Sequence, residues 1–186
     1  QILEDAGLPP GVVNYLPGPG SSVGDFLVEH AKTRFISFTG SMAVGLEINQ
    51  KAARVGPGQL WIKRTVLEMG GKDFIVVDAD ADFDDAVQQV VGSAFGFQGQ
   101  KCSACSRAIV HESLYERFCD AVAARTDALS MGATKHQGNT IGPVASEKQF
   151  RTVTEYVGVG KGEARLIAGG TSDGTVGNFV RPTVFA

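Results

Sequence analysis

Short apolar runs alternate with amphipathic helical segments along the chain, and this alternation constrains the fold more than any other feature. Residues 74–77 form an apolar run of the kind that buried strands show, and apolar residues then recur at helical spacing from residue 83 to residue 95. Strands that alternate with such helices usually form parallel sheets. The sequence therefore predicts an α/β fold with mostly parallel sheets. Further strands are predicted at 12–16, 34–38, 61–67, 106–111, 165–168 and 180–185, and further helices at 21–30, 41–54, 113–129 and 146–157.

The composition argues against several classes of protein. With 43% hydrophobic residues among 186, the chain can bury a large core. A formal net charge of −3 disfavours nucleic acid and anionic membranes as partners, and no apolar run reaches the ~18 residues that a membrane-spanning helix needs. The three cysteines are an odd number, which disfavours a disulfide framework and favours a reducing compartment such as the cytoplasm.

A domain boundary is predicted near Gly70 and Gly71. Paired glycines let the backbone turn sharply, so the chain can leave one sheet there and enter another. Both ends of the sequence interrupt recognisable patterns, since Gln1 lies within a helix-like segment and Ala186 directly follows a strand-like one. We therefore expect the 186 residues to be the central part of a longer chain.

Residues 38–45 lie between a predicted strand and a predicted helix, and they suit a phosphate group. Gly40 lets the backbone approach a ligand, and the start of the helix offers free N–H groups with a partial positive charge. Ser41 can cap the helix and also donate to a phosphate. The spacing is not the G-x-G-x-x-G of dinucleotide-binding turns, so an ordinary strand-to-helix turn with a serine cap remains an alternative.

Glu68 ends an apolar strand just before the paired glycines. Partial desolvation at that position would suit the carboxylate to general-base catalysis. A solvated glutamate at the end of a strand is the alternative that the residues alone leave open.

Cys102 is the candidate nucleophile, because Lys101 and nearby backbone N–H groups would favour its thiolate. Cys102 and Cys105 also form a C-x-x-C pair, for which zinc binding and redox exchange are alternatives. Zinc would need a second pair of ligands, and the histidines are scattered. A redox motif would open a helix after a strand, but this pair follows a helix and leads into a strand. Cys119 is predicted to lie in the core, on the inward side of a helix.

Three motifs, taken in order, resemble the aldehyde dehydrogenase superfamily. They are Phe38-Thr39-Gly40-Ser41, Leu67-Glu68-Met69-Gly70-Gly71-Lys72 and Gly99-Gln100-Lys101-Cys102, and Arg181-Pro182-Thr183-Val184-Phe185 resembles a further family segment. The resemblance extends over essentially all 186 residues. It implies parts of two Rossmann-like three-layer domains. Residues 1–68 would be the C-terminal half of the NAD-binding domain, and residues 69–186 the N-terminal part of the catalytic domain.

The resemblance also implies a role for each matching residue. Cys102 would add to the aldehyde as a thiohemiacetal, Glu68 would activate the water that hydrolyses the later thioester, and the Cys102 N–H would form half of an oxyanion hole. In the branch of the family described below, Ser103 would help to hold the substrate carboxylate. No metal ion is implied. NAD, or alternatively NADP, would be bound by Gly20, Gly24, Phe38, Thr39, Gly40, Ser41, Gly45 and Met69.

A finer resemblance concerns the substrate. Residues 61–64, 68–73 and 94–107 resemble the branch of the family that oxidises L-glutamate γ-semialdehyde to glutamate in proline catabolism. The expected partner is a small-molecule aldehyde, and the parent enzyme is expected to be a homo-oligomer. The alternatives are succinic semialdehyde or an aliphatic aldehyde as substrate, or a non-catalytic fragment that associates with other chains. Because the family's oxyanion asparagine and both ribose contacts lie outside these residues, we expect the isolated chain to be inactive.

Overall fold

The computed structural model describes residues 1–186 and divides them into two units, Gln1–Gly70 and Gly71–Ala186. Helices and strands alternate along both units, which confirms the predicted α/β class. None of the helices has the length and apolar character needed to cross a lipid bilayer. The assignment of residues 1–68 to a cofactor domain and of residues 69–186 to a catalytic domain stays a prediction.

The first unit is organised around one parallel pair of strands. Its helices are α1 (Ile2–Asp5), α2 (Asp25–Glu29) and α3 (Met42–Ala52), and its strands are β1 (Phe35–Thr39) and β2 (Arg64–Glu68). The strands run from the pair Phe35 and Arg64 to the pair Thr39 and Glu68. Because parallel strands end at the same edge of a sheet, the last residues of β1 and β2 lie side by side.

A buried lysine directly before β2 binds the C-terminal end of α2. Lys63 is 6% exposed, and its Nζ donates to the carbonyl oxygens of Val28 at 2.7 Å and Glu29 at 2.9 Å. These carbonyls belong to the last turn of α2, where backbone acceptors lack helical partners and the helix dipole favours a cation. Lys63 therefore acts as a cap for α2 supplied from outside the helix.

Two predicted strand segments in the first unit are wrong. Residues 12–16 form an exposed, irregular segment because no other strand lies beside them to complete a ladder. The strand predicted from residue 61 begins at Arg64, where the backbone N–H first pairs with the carbonyl of Arg34 at 2.9 Å. Residues before Arg64 face no strand residue across the sheet, and the Trp61 indole N–H donates to the Thr33 carbonyl at 3.0 Å instead.

The second unit combines one parallel pair of strands with two short antiparallel pairs. Its elements are β3 (Asp73–Val77), α4 (Phe83–Phe95), β4 (Cys105–Val110), α5 (Tyr115–Asp127), α6 (Glu147–Glu163), β5 (Leu166–Ala168), β6 (Ser172–Asp173), β7 (Phe179–Val180) and β8 (Val184–Phe185). Strand β3 pairs with β4 in parallel, whereas β5 pairs with β8 and β6 with β7 in antiparallel fashion. The single strand predicted at 180–185 is split, since Pro182 lies in its middle and has no N–H to donate.

The core of the second unit lies between the parallel strands and helices α4 and α5. Asp82 caps α4 by accepting the Asp85 N–H at 3.1 Å, and the apolar face of the helix then buries Val87, Val90 and Val91. Burial of one such side chain contributes roughly 1.5–3 kcal/mol. This packing fixes the end of α4 and the start of β4, and the connection between them carries the candidate nucleophile.

Candidate active site

The first unit brings together four of the residues predicted to bind the cofactor. A Cβ added at Gly45 would lie 2.8 Å from the Met69 sulfur and 3.6 Å from the Phe38 ring. A Cβ added at Gly40 would also collide with the Phe38 ring. Any larger residue at either glycine would therefore displace the side chains that close this surface.

The start of α3 presents unused backbone donors beside these residues. The Ser41 side chain accepts the Val44 N–H at 3.4 Å, which is the predicted serine cap. The N–H groups of Met42 and Ala43 have no hydrogen-bond partner in the structure. Two free donors at the positive end of an eleven-residue helix suit an anionic group such as a pyrophosphate.

The other predicted cofactor residues lie elsewhere in the first unit. Gly20 and Gly24 bound a π-helical turn that leads into α2, and a Cβ at either position would meet nothing within 4 Å. No serine side chain caps this π-helical turn, and the Ser22 hydroxyl donates to the Pro19 carbonyl at 3.3 Å. Thr39 ends β1 opposite Glu68.

Glu68 is exposed at the end of β2. Its backbone carbonyl accepts the Gly40 N–H at 3.0 Å, which fastens the start of the glycine turn to the sheet edge. The predicted partial desolvation of the Glu68 side chain is wrong. Residues of β2 alternate between the two faces of the sheet, and position 68 falls on the exposed face. The carboxylate is consequently free to meet a ligand from solvent.

A left-handed turn carries the chain from α4 towards Cys102. Phe97 and Gln98 both have φ of 56°, and Gly99 has φ of 67°. The left-handed region is unfavourable for residues with a Cβ, and each such residue costs on the order of 1–2 kcal/mol. A Cβ at Gly99 would also lie only 2.9 Å from the Ala94 carbonyl oxygen. Strain of this kind persists only where surrounding contacts hold it, and it often marks functional sites.

The loop that carries Cys102 is held at its far end by a serine from α4. The Ser93 hydroxyl accepts the Cys105 N–H at 3.2 Å, and the Ala104 N–H donates to the Lys101 carbonyl at 3.3 Å. The Cys102 side chain is exposed, and its own N–H has no partner in the structure. This geometry offers an accessible sulfur beside a free donor, which is what attack on a carbonyl with stabilisation of the resulting oxyanion requires.

The three cysteines differ in their surroundings. Cys105 is 8% exposed, and its thiol donates to the Arg107 carbonyl at 3.4 Å. Burial raises the pKa of the Cys105 thiol, so it stays protonated and unreactive at neutral pH. Cys119 is half-buried on α5. Cys119 therefore does not lie in the core as predicted, and Cys102 is the most exposed of the three thiols. No group of three or more His, Cys, Asp or Glu side chains is arranged to hold a metal ion.

The sequence did not predict the residues that support the nucleophile loop, which is the connection of residues 96–104 between α4 and β4. Two glutamines, Gln98 and Gln100, contact the segment 142–145, and Arg107 donates to the Lys72 carbonyl at 2.7 Å. The only local signal was the placement of two amide side chains around a glycine. Their partners lie more than thirty residues away along the chain, so a local pattern does not reveal them.

The chain belongs to the aldehyde dehydrogenase family, whose pattern it matches over residues 1–186. Among its relatives, 1-pyrroline-5-carboxylate dehydrogenase from Geobacillus thermodenitrificans is 53% identical over the whole chain. The protein of the same name from Bacillus subtilis is 50% identical over the same residues. Each alignment covers 100% of this chain and 36% of the relative.

A solved structure agrees with these sequence relatives. The structure of 1-pyrroline-5-carboxylate dehydrogenase from Thermus with bound NAD matches this chain with a TM-score of 0.93 and 51% identity. The match covers 99% of this chain and 36% of that one. The predicted aldehyde dehydrogenase-like fold is confirmed. The chain spans about a third of the length of the curated relatives that it matches.

Proposed function

We propose that the protein of which these residues form a part oxidises L-glutamate γ-semialdehyde to glutamate with NAD. The observation that carries the proposal is an exposed Cys102 with a free N–H, in a chain of this family whose other two cysteines are less exposed. Relatives at 50–53% identity, named 1-pyrroline-5-carboxylate dehydrogenase, support the choice of substrate. The parent enzyme as a homo-oligomer stays a prediction.

The residues of the first unit fit a nicotinamide dinucleotide. The free N–H groups of Met42 and Ala43 suit its pyrophosphate, and the bare surface at Gly40 and Gly45 lets a ligand lie against the backbone. Met69 closes the far side of Gly45. When bound, NAD or NADP accepts the hydride that leaves the reacting carbon. The NAD-bound Thermus relative favours NAD over NADP.

Cys102 performs the covalent part of the proposed reaction. Its sulfur forms a bond to the aldehyde carbon, and the carbonyl oxygen becomes an oxyanion that accepts the Cys102 N–H. Loss of hydride from that carbon turns the thiohemiacetal into a thioester. The sulfur is a good leaving group when water later attacks, which releases the carboxylate product.

Glu68 and Ser103 complete the proposed set of residues. The exposed Glu68 carboxylate takes a proton from the attacking water as general base. The exposed Ser103 hydroxyl, next to the nucleophile, donates to the carboxylate at the other end of the substrate. A substrate with a carboxylate would therefore be preferred to a simple aliphatic aldehyde.

A chimera tests this proposal. These 186 residues replace the matching 36% of the Geobacillus relative, and NADH production is measured with three aldehydes. We expect turnover of glutamate γ-semialdehyde to exceed that of succinic semialdehyde and of an aliphatic aldehyde. In the same chimera, Glu68→Gln should lower the rate by roughly 10²–10⁴-fold, as loss of a general base does.

The Cys102→Ala chimera is the decisive variant, and Cys119→Ala is its matched control. We expect Cys102→Ala to lack dehydrogenase activity and Cys119→Ala to keep it. An active Cys102→Ala chimera would refute the role of the nucleophile. Preference for an aldehyde without the amino acid end would remove the substrate assignment but leave the enzyme class in place.

A further inference from the structure

Two glutamine side chains connect the left-handed turn to one distant segment of the second unit. The Gln100 Oε1 accepts the Ala145 N–H at 2.9 Å, across 45 residues of chain. With its amide oriented to satisfy its neighbours, Gln98 accepts the Gly142 N–H at 2.8 Å and donates to the Phe97 carbonyl at 3.3 Å. Both glutamines thus use an oxygen to bind a backbone donor of the segment 142–145.

The segment that receives these side chains is itself firmly held. Ile141 is 3% exposed and Val144 is 6% exposed, so both are part of the packed interior. The Ile141 N–H donates to the Ser130 carbonyl at 2.9 Å, and the Val144 N–H donates to the Asn178 carbonyl at 2.8 Å. Because the segment 142–145 is held in place, the side chains of Gln98 and Gln100 that bind it are held in place as well.

The attachment at Gln100 lies two residues before Cys102, and the Ser93 bond holds Cys105, three residues after it. Between these two fixed points the chain has only residues 101–104 in which to place the Cys102 sulfur. The backbone packs closely there, since a Cβ at Gly71 would lie 3.6 Å from the Cys102 carbonyl oxygen. Release of either fixed point would let residues 101–104 adopt other conformations.

We propose that Gln100 is a positioning residue for Cys102, and that it acts by binding the Ala145 N–H. The inference rests on the proposed function of Cys102 as the nucleophile. Gln100 touches neither aldehyde nor cofactor in this proposal. It raises the fraction of molecules in which the sulfur and the Cys102 N–H stand ready for the aldehyde. A loss of Gln100 therefore lowers kcat and leaves KM unchanged.

The test compares three variants in the chimera described above. Gln100→Met removes the acceptor at nearly constant volume, Gln100→Glu keeps an acceptor oxygen, and Gln88→Met makes the same change on the exposed face of α4 as control. We expect Gln100→Met to lower kcat by roughly 2- to 12-fold, the range that one ordinary hydrogen bond represents. Gln100→Glu should recover most of kcat, and Gln88→Met should match the parent.

Hydrogen exchange provides the structural readout. The Ala145 amide should exchange faster in Gln100→Met than in Gln100→Glu, while the amides of α5 stay unchanged. Full kcat in Gln100→Met together with an inactive Cys102→Ala chimera overturns the inference alone. Activity in Cys102→Ala overturns the proposed function and this inference with it. If Gln100→Met unfolds, the result for Gln100→Glu is used instead. A retained kcat in Gln100→Glu supports the inference, and a lost kcat in a folded Gln100→Glu protein overturns it.

Discussion

The left-handed turn before Cys102 predicts that substitution of Gly99 destabilises the chain and that substitution of Gly96, three residues earlier, does not. Gly99 has φ of 67°, whereas Gly96 has φ of −54°. Gly99→Ala forces a Cβ into the left-handed region and places it 2.9 Å from the Ala94 carbonyl oxygen. For Gly96→Ala the nearest atom is the Lys101 Nζ at 4.0 Å, so the new methyl group has room.

The expected difference between the two variants follows from these contacts. The left-handed conformation costs an alanine about 1–2 kcal/mol, and the close approach to a carbonyl oxygen demands a backbone shift in addition. Gly96→Ala removes unfolded-state entropy without strain and should stabilise the chain by about 0.4–1 kcal/mol. Because both variants restrict the unfolded chain equally, we expect their free energies of unfolding to differ by the strain at Gly99→Ala, which is at least about 1–2 kcal/mol.

Urea unfolding followed by far-ultraviolet circular dichroism measures this difference, and hydrogen exchange over residues 94–105 locates it. Gly99→Ala should also change the alkylation rate of Cys102 relative to that of Cys119, because the loop would leave its fixed conformation. Equal unfolding midpoints for Gly99→Ala and Gly96→Ala would refute the reasoning, since the left-handed turn would then carry no energetic constraint.

Two further predictions concern groups buried in each unit. Lys63→Met leaves the two carbonyl acceptors of α2 unpaired and should destabilise the first unit by about 2–3 kcal/mol, whereas the control Lys32→Met on the surface should not. Hydrogen exchange of the α2 amides measures the difference, and equal protection in the two variants would contradict the capping role. Burial raises the pKa of Cys105, so the folded chain keeps this proton where the unfolded chain releases it. The contribution of Cys105 to the free energy of unfolding should be fully present below the ordinary thiol pKa of about 8.5, and it should be lost as the pH rises above that value. Cys105→Ala should reduce that alkaline loss in urea unfolding, and an unchanged loss would count against burial as its cause.

The elements with strong local patterns were predictable from the sequence. Helix α4 repeats its apolar residues at helical spacing and begins at an aspartate cap, and β3 is a short apolar run, so local physics alone determines both. Residues 12–16 have the composition of a strand, but a strand exists only where a neighbour pairs with it. The exposure of Glu68 likewise depends on which layers cover the sheet, and residue type does not specify that.

The candidate site divides in the same way. The Ser41 cap was predictable because residue type and position at the start of a helix determine it, whereas the role of Cys102 stays a prediction. The left-handed turn was not predictable, since phenylalanine and glutamine rarely adopt positive φ and only distant contacts stabilise them there. The bond from Gln100 to Ala145 spans 45 residues, and no local pattern predicts which amide meets which backbone donor.

The dependence of the nucleophile loop on residue 145 sets an order for assembly during synthesis. At about 5–20 residues per second, a ribosome needs roughly 2–9 s to pass from Gln100 to Ala145. Helix α4 and strand β4 emerge before then, but the strained turn has no distant partner to hold it. We therefore expect the loop around Cys102 to reach its final geometry only after residue 145 has been added. A nascent chain that stops before Ala145 contains Cys102 but lacks the backbone donor that holds Gln100.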